Sequence, residues 1–270
     1  MADFFTLNYH IYALFFNFVC CSVVTLLVLS VKRDSKVIKL FAIFTGEIAV
    51  WALFYWVSLI TEDAVVAEIL FRSCMVPVVV IPSSFFHFIT ELTKVRVSKK
   101  VHAVNYSLSF LFFLTIYTPL FAVSTTEPNF VFVHWPKAGP MLPIHIMHFV
   151  GIAIVTHIMM FKAIKRADSL VFKRQISIVF WGTIVAFGLG AVNYLTWYRI
   201  CPPLPNPIMS FYAVAILYAV FKHQLMDIEV VVKRTLQFAG LVGSVVAVVS
   251  LVAFVSQDVL ARFIQIPKWL

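Results

Sequence analysis

Long runs of apolar residues, broken at intervals by short charged stretches, dominate this sequence. Each run reaches about 20 residues, the length that an α-helix needs to cross a hydrocarbon core of about 30 Å. Of the 270 residues, 62% are hydrophobic and only 12% are charged, whereas charged residues make up about a quarter of a typical soluble domain. The sequence therefore predicts an all-α polytopic membrane protein, because in lipid a helix satisfies its own backbone hydrogen bonds.

The apolar runs predict a seven-helix bundle followed by an eighth transmembrane helix. The predicted helices occupy about 8–31, 38–60, 65–92, 102–123, 143–163, 175–198, 207–223 and 236–256. In the eighth, Ala239, Gly243 and Ala247 place small residues four positions apart, which favours close helix packing. We divide the chain into a membrane domain, 1–234, and a second part, 235–270, that holds the eighth helix and an outer tail.

Most of the 21 Lys and Arg residues follow the first, third, fifth and seventh predicted helices. They are Lys32, Arg33, Lys36, Lys39, Lys94, Arg96, Lys99, Lys100, Lys162, Lys165, Arg166, Lys173, Arg174, Lys222, Lys233 and Arg234. By the positive-inside rule these connections are cytoplasmic and the N-terminus lies outside. The formal net charge of +9 is then explained by these basic cytoplasmic connections, which also attract anionic membrane lipids. We do not interpret it as nucleic-acid binding.

The segment 207–234 changes from apolar to charged without a helix-breaking residue. Neither Gly nor Pro occurs between Met209 and Arg234. The segment is apolar as far as Phe221, and its charged part begins at Lys222. Because nothing in this stretch forces a break, we expect the seventh helix to continue into the cytoplasm. Residues 222–234 are thus predicted to form an output segment that carries movement out of the bilayer.

The loop between the fourth and fifth helices, 124–142, is rich in aromatic residues, among them Phe130, Phe132 and Trp135. Aromatic residues at such a position commonly anchor a protein at the membrane interface. The alternative is that the loop covers a pocket that opens outward. The sequence leaves both interpretations open.

Glu47 and Arg72 are the two charged residues deepest in apolar surroundings. Counted from the ends of the second and third helices at 1.5 Å per residue, they lie at heights that differ by about 5 Å. Charges at such depth are costly and usually face a partner or a cavity. We predict a Glu47–Arg72 ion pair, or contact of Arg72 with an anionic or carbonyl group of a ligand.

Three histidines attract attention because His changes charge near neutral pH and binds metals. His145 and His148 share one face of the fifth helix, but no Cys or carboxylate completes a coordination shell, so we predict no metal site and expect them to line an aqueous vestibule. His87 lies near Ser83, Ser84 and Glu91 in the third helix. It is predicted to form an interhelical hydrogen bond or a protonation switch. In the same helix Pro82, like Pro77, should introduce a kink.

A small-molecule pocket is the predicted role of the aromatic and polar residues in the second and sixth helices. Apolar and aromatic walls with a few polar groups are typical of such pockets, although aromatic residues at helix ends also serve as interfacial anchors. With Arg72, His145 and His148, the candidate ligand-binding residues are Trp51, Tyr55, Trp181, Asn193 and Tyr194.

The order of several short motifs resembles the seven-transmembrane N-terminal sensor region of bacterial histidine kinases. The motifs are Pro82 with His87-Phe88, then Lys173-Arg174-Gln175, then Gly188, Gly190 and Asn193, then Ala215-Ile216-Leu217, and finally Gln224-Leu225-Met226-Asp227-Ile228. The resemblance covers roughly residues 8–234. It implies a multi-pass protein of the bacterial inner membrane and a cytoplasmic signalling module as partner.

We therefore expect a sensory input region that binds a small hydrophobic or amphipathic ligand in the outer half of the bundle. The chain contains no phosphoacceptor-helix, nucleotide-lid or cyclase motif, so it is predicted not to be an enzyme. We expect it to be a fragment of a longer protein, with a self-standing protein as the alternative. No cofactor is predicted, and a homodimer is one assembly compatible with the sequence. The alternative function is a transporter or scaffold subunit for a lipid-like solute, although no inverted repeat stands out.

Overall fold

The computed structural model describes residues 7–30, 35–123, 127–203, 206 and 212–218. The described part is helical apart from one short antiparallel hairpin. In chain order, the elements are α1 (Leu7–Ser30), α2 (Lys36–Ile60), α3 (Ala64–Thr93), α4 (Lys99–Thr115), β1 (Glu127–Asn129), β2 (Phe132–Trp135), α5 (Met141–Arg166), α6 (Leu170–Gly190) and α7 (Val192–Trp197). Residues 212–218 are helical as well.

Within these described ranges, five helices are long and apolar enough to cross a membrane. They are α1, α2, α3, α5 and the combined α6–α7 span, Leu170–Trp197. Only residues 212–218 represent the predicted seventh helix. The predicted output segment, 222–234, and the predicted eighth helix, 236–256, lie outside the described residues.

The fourth apolar run forms a shorter helix than predicted. The sequence predicts a helix over 102–123, but α4 ends at Thr115 after 17 residues. Pro119 follows within one turn, and proline both lacks an N–H donor and disfavours helical backbone at the residue before it. The chain therefore continues as successive turns, with Thr118 N–H donating to the Thr115 carbonyl at 3.0 Å.

The sixth helix begins five residues earlier than predicted, so Lys173 and Arg174 lie in its first turns and not in a loop. Ser169 provides the physical reason, because its side chain accepts a hydrogen bond from Phe172 N–H at the N-cap position.

α3 is the central helix of the described bundle and packs against α2, α4 and α5. The Asp63 side chain caps its start by accepting from the N–H groups of Val65 and Val66, at 2.8 and 2.9 Å. The helix continues across Pro77 and Pro82 to Thr93. The prolines therefore do not end the helix, as is common where neighbouring helices in a membrane support the backbone.

Phenylalanine rings from several helices fill the interior around α3. The ring centroids of Phe44 and Phe85 lie 5.2 Å apart, those of Phe85 and Phe187 4.6 Å, and those of Phe149 and Phe187 5.2 Å. Such tilted and edge-on contacts are favourable for aromatic pairs. They connect α2, α3, α5 and α6 in one core.

The hairpin β1–β2 closes one end of the bundle, which we call the hairpin end. We call the other end, where α3 and α5 finish and α4 begins, the basic end; Lys94, Lys99, Lys100, Lys165 and Arg166 lie there. Three backbone hydrogen bonds fix the chain after the hairpin to the turns after α4. Gly139 N–H donates to the Phe121 carbonyl and Met141 N–H to the Leu120 carbonyl, both at 2.8 Å, and Val123 N–H donates to the Lys137 carbonyl at 3.0 Å.

Gly139 makes a close approach that no larger residue can make. A Cβ atom at this position would lie 2.3 Å from the Leu120 carbonyl oxygen, which is rigid backbone. We expect Gly139→Ala to destabilise the folded protein by about 1–3 kcal/mol, measured as reversible unfolding in detergent. Gly151→Ala is the matched control, because no atom lies within 4 Å of its added Cβ and alanine favours a helix interior. Equal stability of the two variants would show that Gly139 does not approach the Leu120 carbonyl as closely as described.

Candidate ligand-binding cavity

A cavity of ≈ 90 Å³ lies inside the bundle towards the hairpin end. Its wall is formed mainly by aromatic side chains from α2, α3, α5, α6, α7, the hairpin and the helical segment 212–218. These are Phe44, Trp51, Tyr55, Phe71, Trp135, Phe149, Phe187, Tyr194, Trp197 and Tyr212. Among the remaining lining residues Asn193 is polar, and no charged side chain of the described residues lines the cavity.

Trp135 of β2 covers the cavity at the hairpin end. Its side chain is 3% exposed, and its ring centroid lies 5.1 Å from that of Phe71 and 5.8 Å from that of Tyr55. Phe132 packs beside it at 4.6 Å, while Val133 on the same strand is 61% exposed. Trp135 and Phe132 thus pack into the bundle, which favours the interpretation of the 124–142 loop as a cover. Sequence alone could not show this, because the contact joins residues more than sixty positions apart.

Four polar atoms in the cavity wall are buried without a hydrogen-bond partner in the described part of the chain. They are the hydroxyl groups of Tyr55 and Tyr212, Nε1 of Trp135 and Oδ1 of Asn193. The first three of these residues are 3–4% exposed. A buried polar group without a partner costs free energy. The two hydroxyl groups and the indole N–H can donate a hydrogen bond, and the Asn193 oxygen can accept one. The cavity therefore presents three unused donors and one unused acceptor in a largely apolar space.

Four of the eight predicted ligand-binding residues lie on the cavity wall: Trp51, Tyr55, Asn193 and Tyr194. His145 lies behind this wall, fully buried, with Nε2 3.0 Å from the Tyr194 hydroxyl. The prediction that it lines an aqueous vestibule is therefore wrong: it is a buried support for a wall residue.

The predicted Glu47–Arg72 ion pair is not formed. The Arg72 guanidinium pairs with Glu68 one turn earlier, at 2.6 Å. It also donates to the carbonyl groups of Ile116 and Ala122, at 2.7 and 2.9 Å, and so closes the turns after α4. The Glu47 carboxylate instead accepts a hydrogen bond from the Ser84 hydroxyl.

Two further predicted site residues lie away from the cavity. Trp181 is 64% exposed on the outer surface of α6, because the buried residues Val179 and Thr183 lie two positions to either side and so on the opposite face. His148 points towards α4, where its Nε2 is 2.6 Å from the Asn105 side-chain oxygen.

His87, the predicted switch residue, lies between α3 and α4. Its Nδ1 is 3.3 Å from the Tyr106 hydroxyl, and its ring centroid lies 4.5 Å from that of His102. An interhelical hydrogen bond, the first of the two predicted roles, is thus present. Among the described residues, no three His, Cys, Asp or Glu side chains are placed to hold a metal ion.

An ion-pair cluster on the surface attaches the hairpin to the end of α7. The Glu127 carboxylate contacts the Lys137 ammonium and, at 2.6 Å, the Arg199 guanidinium. In the interior beneath these ion pairs, Asn129 Nδ2 donates to the Thr196 carbonyl at 2.8 Å. Hydrogen bonds from Lys137 and then Arg199 lower the pKa of Glu127 below its ordinary value of 4.5.

Acid should weaken this attachment. A lowered pKa in the attached state means that attachment is favoured above the ordinary carboxyl pKa and is lost as pH falls through the lowered value. We expect the melting temperature of the wild type to exceed that of Glu127→Gln at neutral pH, and the difference to vanish in acid. High salt should also reduce it, since the three side chains are roughly half exposed. If the difference in melting temperature does not change with pH, the charge of Glu127 does not attach the hairpin to the end of α7.

Comparison with known protein families gives a match over most of the chain. A family model described as the N-terminal 7TM region of histidine kinase matches residues 13–229, which include nearly all of the described helices and the whole cavity wall. No curated protein and no solved structure matches the chain significantly.

Proposed function

The chain belongs to the family of the N-terminal 7TM region of histidine kinase and is therefore a multi-pass membrane sensory region; from this premise we propose that it detects a small, uncharged, largely apolar ligand in the aromatic cavity. The observation that carries the proposal is the set of donors on Tyr55, Trp135 and Tyr212 that have no partner among the described residues and lie in one aromatic wall.

The wall chemistry limits the ligand class. Aromatic surface favours an apolar body, and unused hydroxyl and indole donors favour a ligand that carries a hydrogen-bond acceptor such as a carbonyl, ether or hydroxyl oxygen. A charged ligand would enter without a counterion, since Arg72 is already occupied by Glu68 and three backbone carbonyls. Neutral molecules are therefore preferred over carboxylates and amines.

The cavity size suggests how binding becomes a signal. An apolar cavity of about 150 Å³ is known to hold a benzene molecule, whereas this one measures ≈ 90 Å³. A ligand of ring size therefore requires the walls to separate. It would then favour a more open arrangement of the helices, which is a population shift between two states.

Tyr212 supplies the route to the effector. It forms part of the cavity wall, with its ring centroid 6.2 Å from that of Phe44, and its helical segment precedes the predicted output segment, 222–234. If the seventh helix continues beyond residue 218 as the sequence predicts, displacement of Tyr212 would be passed along it to the cytoplasmic module that the family implies.

The test uses the chain joined to its histidine-kinase module in lipid nanodiscs. The probes are benzyl alcohol, benzoate and benzylamine, which share a ring but differ in charge. We expect benzyl alcohol to change autophosphorylation most. Ala186→Phe, which fills the wall at a residue 7% exposed, should abolish this response, whereas Trp181→Leu on the outer surface should retain it. Similar responses to all three probes, or an unaffected Ala186→Phe variant, would refute the proposal.

We also propose that the hairpin end faces outward and the basic end faces the cytoplasm, as the positive-inside rule implies. Cysteine introduced at Val133, 61% exposed on the hairpin, should react with a membrane-impermeant thiol reagent in intact cells. Cysteine at Asp168, exposed between α5 and α6, should react only after the cells are opened. Labelling of position 168 in intact cells would reverse the orientation.

A further inference from the structure

A second cavity lies apart from the first, in a groove between α3, α4 and α5. Its volume is ≈ 360 Å³, and its walls include Phe86, Val104, Leu108 and Ile152. Val104 is 61% exposed and Leu108 39% exposed, so the groove opens on the outer surface of the bundle. In a multi-pass membrane protein an apolar outer surface lies next to lipid, and a lipid is therefore the occupant that we consider.

One buried donor points to an occupant with an acceptor group. Asn105 is 6% exposed, its side-chain oxygen contacts His148, and its backbone carbonyl accepts from the Ser83 hydroxyl at 3.0 Å. Its Nδ2 group, in the groove wall, has no hydrogen-bond partner in the described part of the chain. In hydrocarbon an amide donor without an acceptor is costly.

A positive charge lies at a matching distance along the same groove. Lys100 also lines it, five residues before Asn105 on α4, which corresponds to about 7.5 Å along the helix axis. The direction from Asn105 to Lys100 runs towards the basic end and hence towards the membrane surface. In a glycerophospholipid the phosphate lies one short glycerol segment above the ester carbonyls.

We propose that this groove binds one anionic glycerophospholipid. One acyl chain lies along the apolar wall, an ester carbonyl accepts from Asn105 Nδ2, and the phosphate contacts Lys100. The site does not depend on the ligand proposed for the aromatic cavity.

The experiment measures lipid retained by the purified protein. The protein is reconstituted in nanodiscs that contain phosphatidylcholine and phosphatidylglycerol, transferred to mild detergent, and analysed by native mass spectrometry. We expect phosphatidylglycerol to be retained in preference to phosphatidylcholine. Lys100→Gln should lower its retention about fivefold, since each Lys near a charged surface contributes about 1 kcal/mol. Lys162→Gln, exposed at the same end but outside the groove, should have no effect.

A second variant separates lipid binding from folding. Asn105→Leu also removes the contact with His148 and can disturb the bundle, so Val104→Trp is used to block the groove from its exposed side without touching a polar group. It should lower retention at least as much as Lys100→Gln, whereas Val155→Trp, 45% exposed on α5, should not. Equal retention of the two lipids, or full retention by Val104→Trp, would overturn the proposal.

Discussion

Replacing Arg72 by Leu is expected to destabilise the folded protein by about 3–5 kcal/mol, because it removes the charge partner of Glu68 and leaves buried carbonyl groups without donors. The guanidinium contacts the carbonyls of Ile116 and Thr118, at 2.7 and 3.1 Å, and that of Ala122 at 2.9 Å. The turns after α4 depend on these hydrogen bonds. The measurement is reversible unfolding in detergent, followed by circular dichroism.

A pair of double-mutant cycles identifies the partner of Arg72. Glu68→Gln alone should cost less, since the Glu68 side chain is 31% exposed, and its effect should be strongly non-additive with Arg72→Leu. Glu47→Gln should be additive with Arg72→Leu, because Glu47 is bonded to Ser84. If the cycles show coupling of Arg72 to Glu47 and none to Glu68, the result would support the Glu47–Arg72 ion pair that the sequence predicts.

Replacing Trp135 by Ala should have the second large effect, on ligand detection more than on folding. The indole is the part of the hairpin that enters the cavity wall, and it supplies one of the unused donors. Truncating a buried aromatic anchor of a binding site commonly costs 2 kcal/mol or more, which is about thirtyfold in affinity. We expect at least this loss for benzyl alcohol, measured as the concentration that gives half of the kinase response.

Val133→Ala is the matched control, because Val133 lies on the same strand but is 61% exposed. It should leave the half-response concentration unchanged. Trp135→Phe should recover part of the affinity, since it keeps the aromatic surface but not the donor. If Trp135→Ala responds like the wild type, the hairpin does not cover the binding site.

The helices could be predicted from sequence wherever an apolar run ends at charged or capping residues. The predicted ranges 8–31, 38–60 and 65–92 agree with α1, α2 and α3 to within two residues. The fourth run continues through Tyr117 and Leu120 without a charge, so hydropathy alone extends the helix into the turns. Pro119 is the signal that marks its true end, and it was available in the sequence.

The cavity wall was harder to predict, because a membrane helix is apolar on every face. Trp181 and Phe187 are equally aromatic, yet only Phe187 reaches the interior. The buried set on α6 follows the helical period through Ile176, Val179, Thr183 and Ala186, a pattern that only the structure reveals.

The prediction that Arg72 pairs with Glu47 failed for a different reason. The estimated depths of Glu47 and Arg72 left out the turns after α4, whose carbonyls surround the guanidinium. Glu68, four residues before Arg72 on the same helix, was the local alternative. Depth alone cannot choose between partners on different sides of a helix.

The hairpin is one continuous piece of chain, and the rest of the cavity wall belongs to helices that also build the core. Residues 127–135 can therefore vary in the side chains that face the cavity, provided that Glu127 and Asn129 keep their contacts with Arg199 and Thr196. If the aromatic cavity binds the proposed ligand, variation in this stretch would change the chemistry of one wall of the cavity and leave the walls formed by the helices as they are.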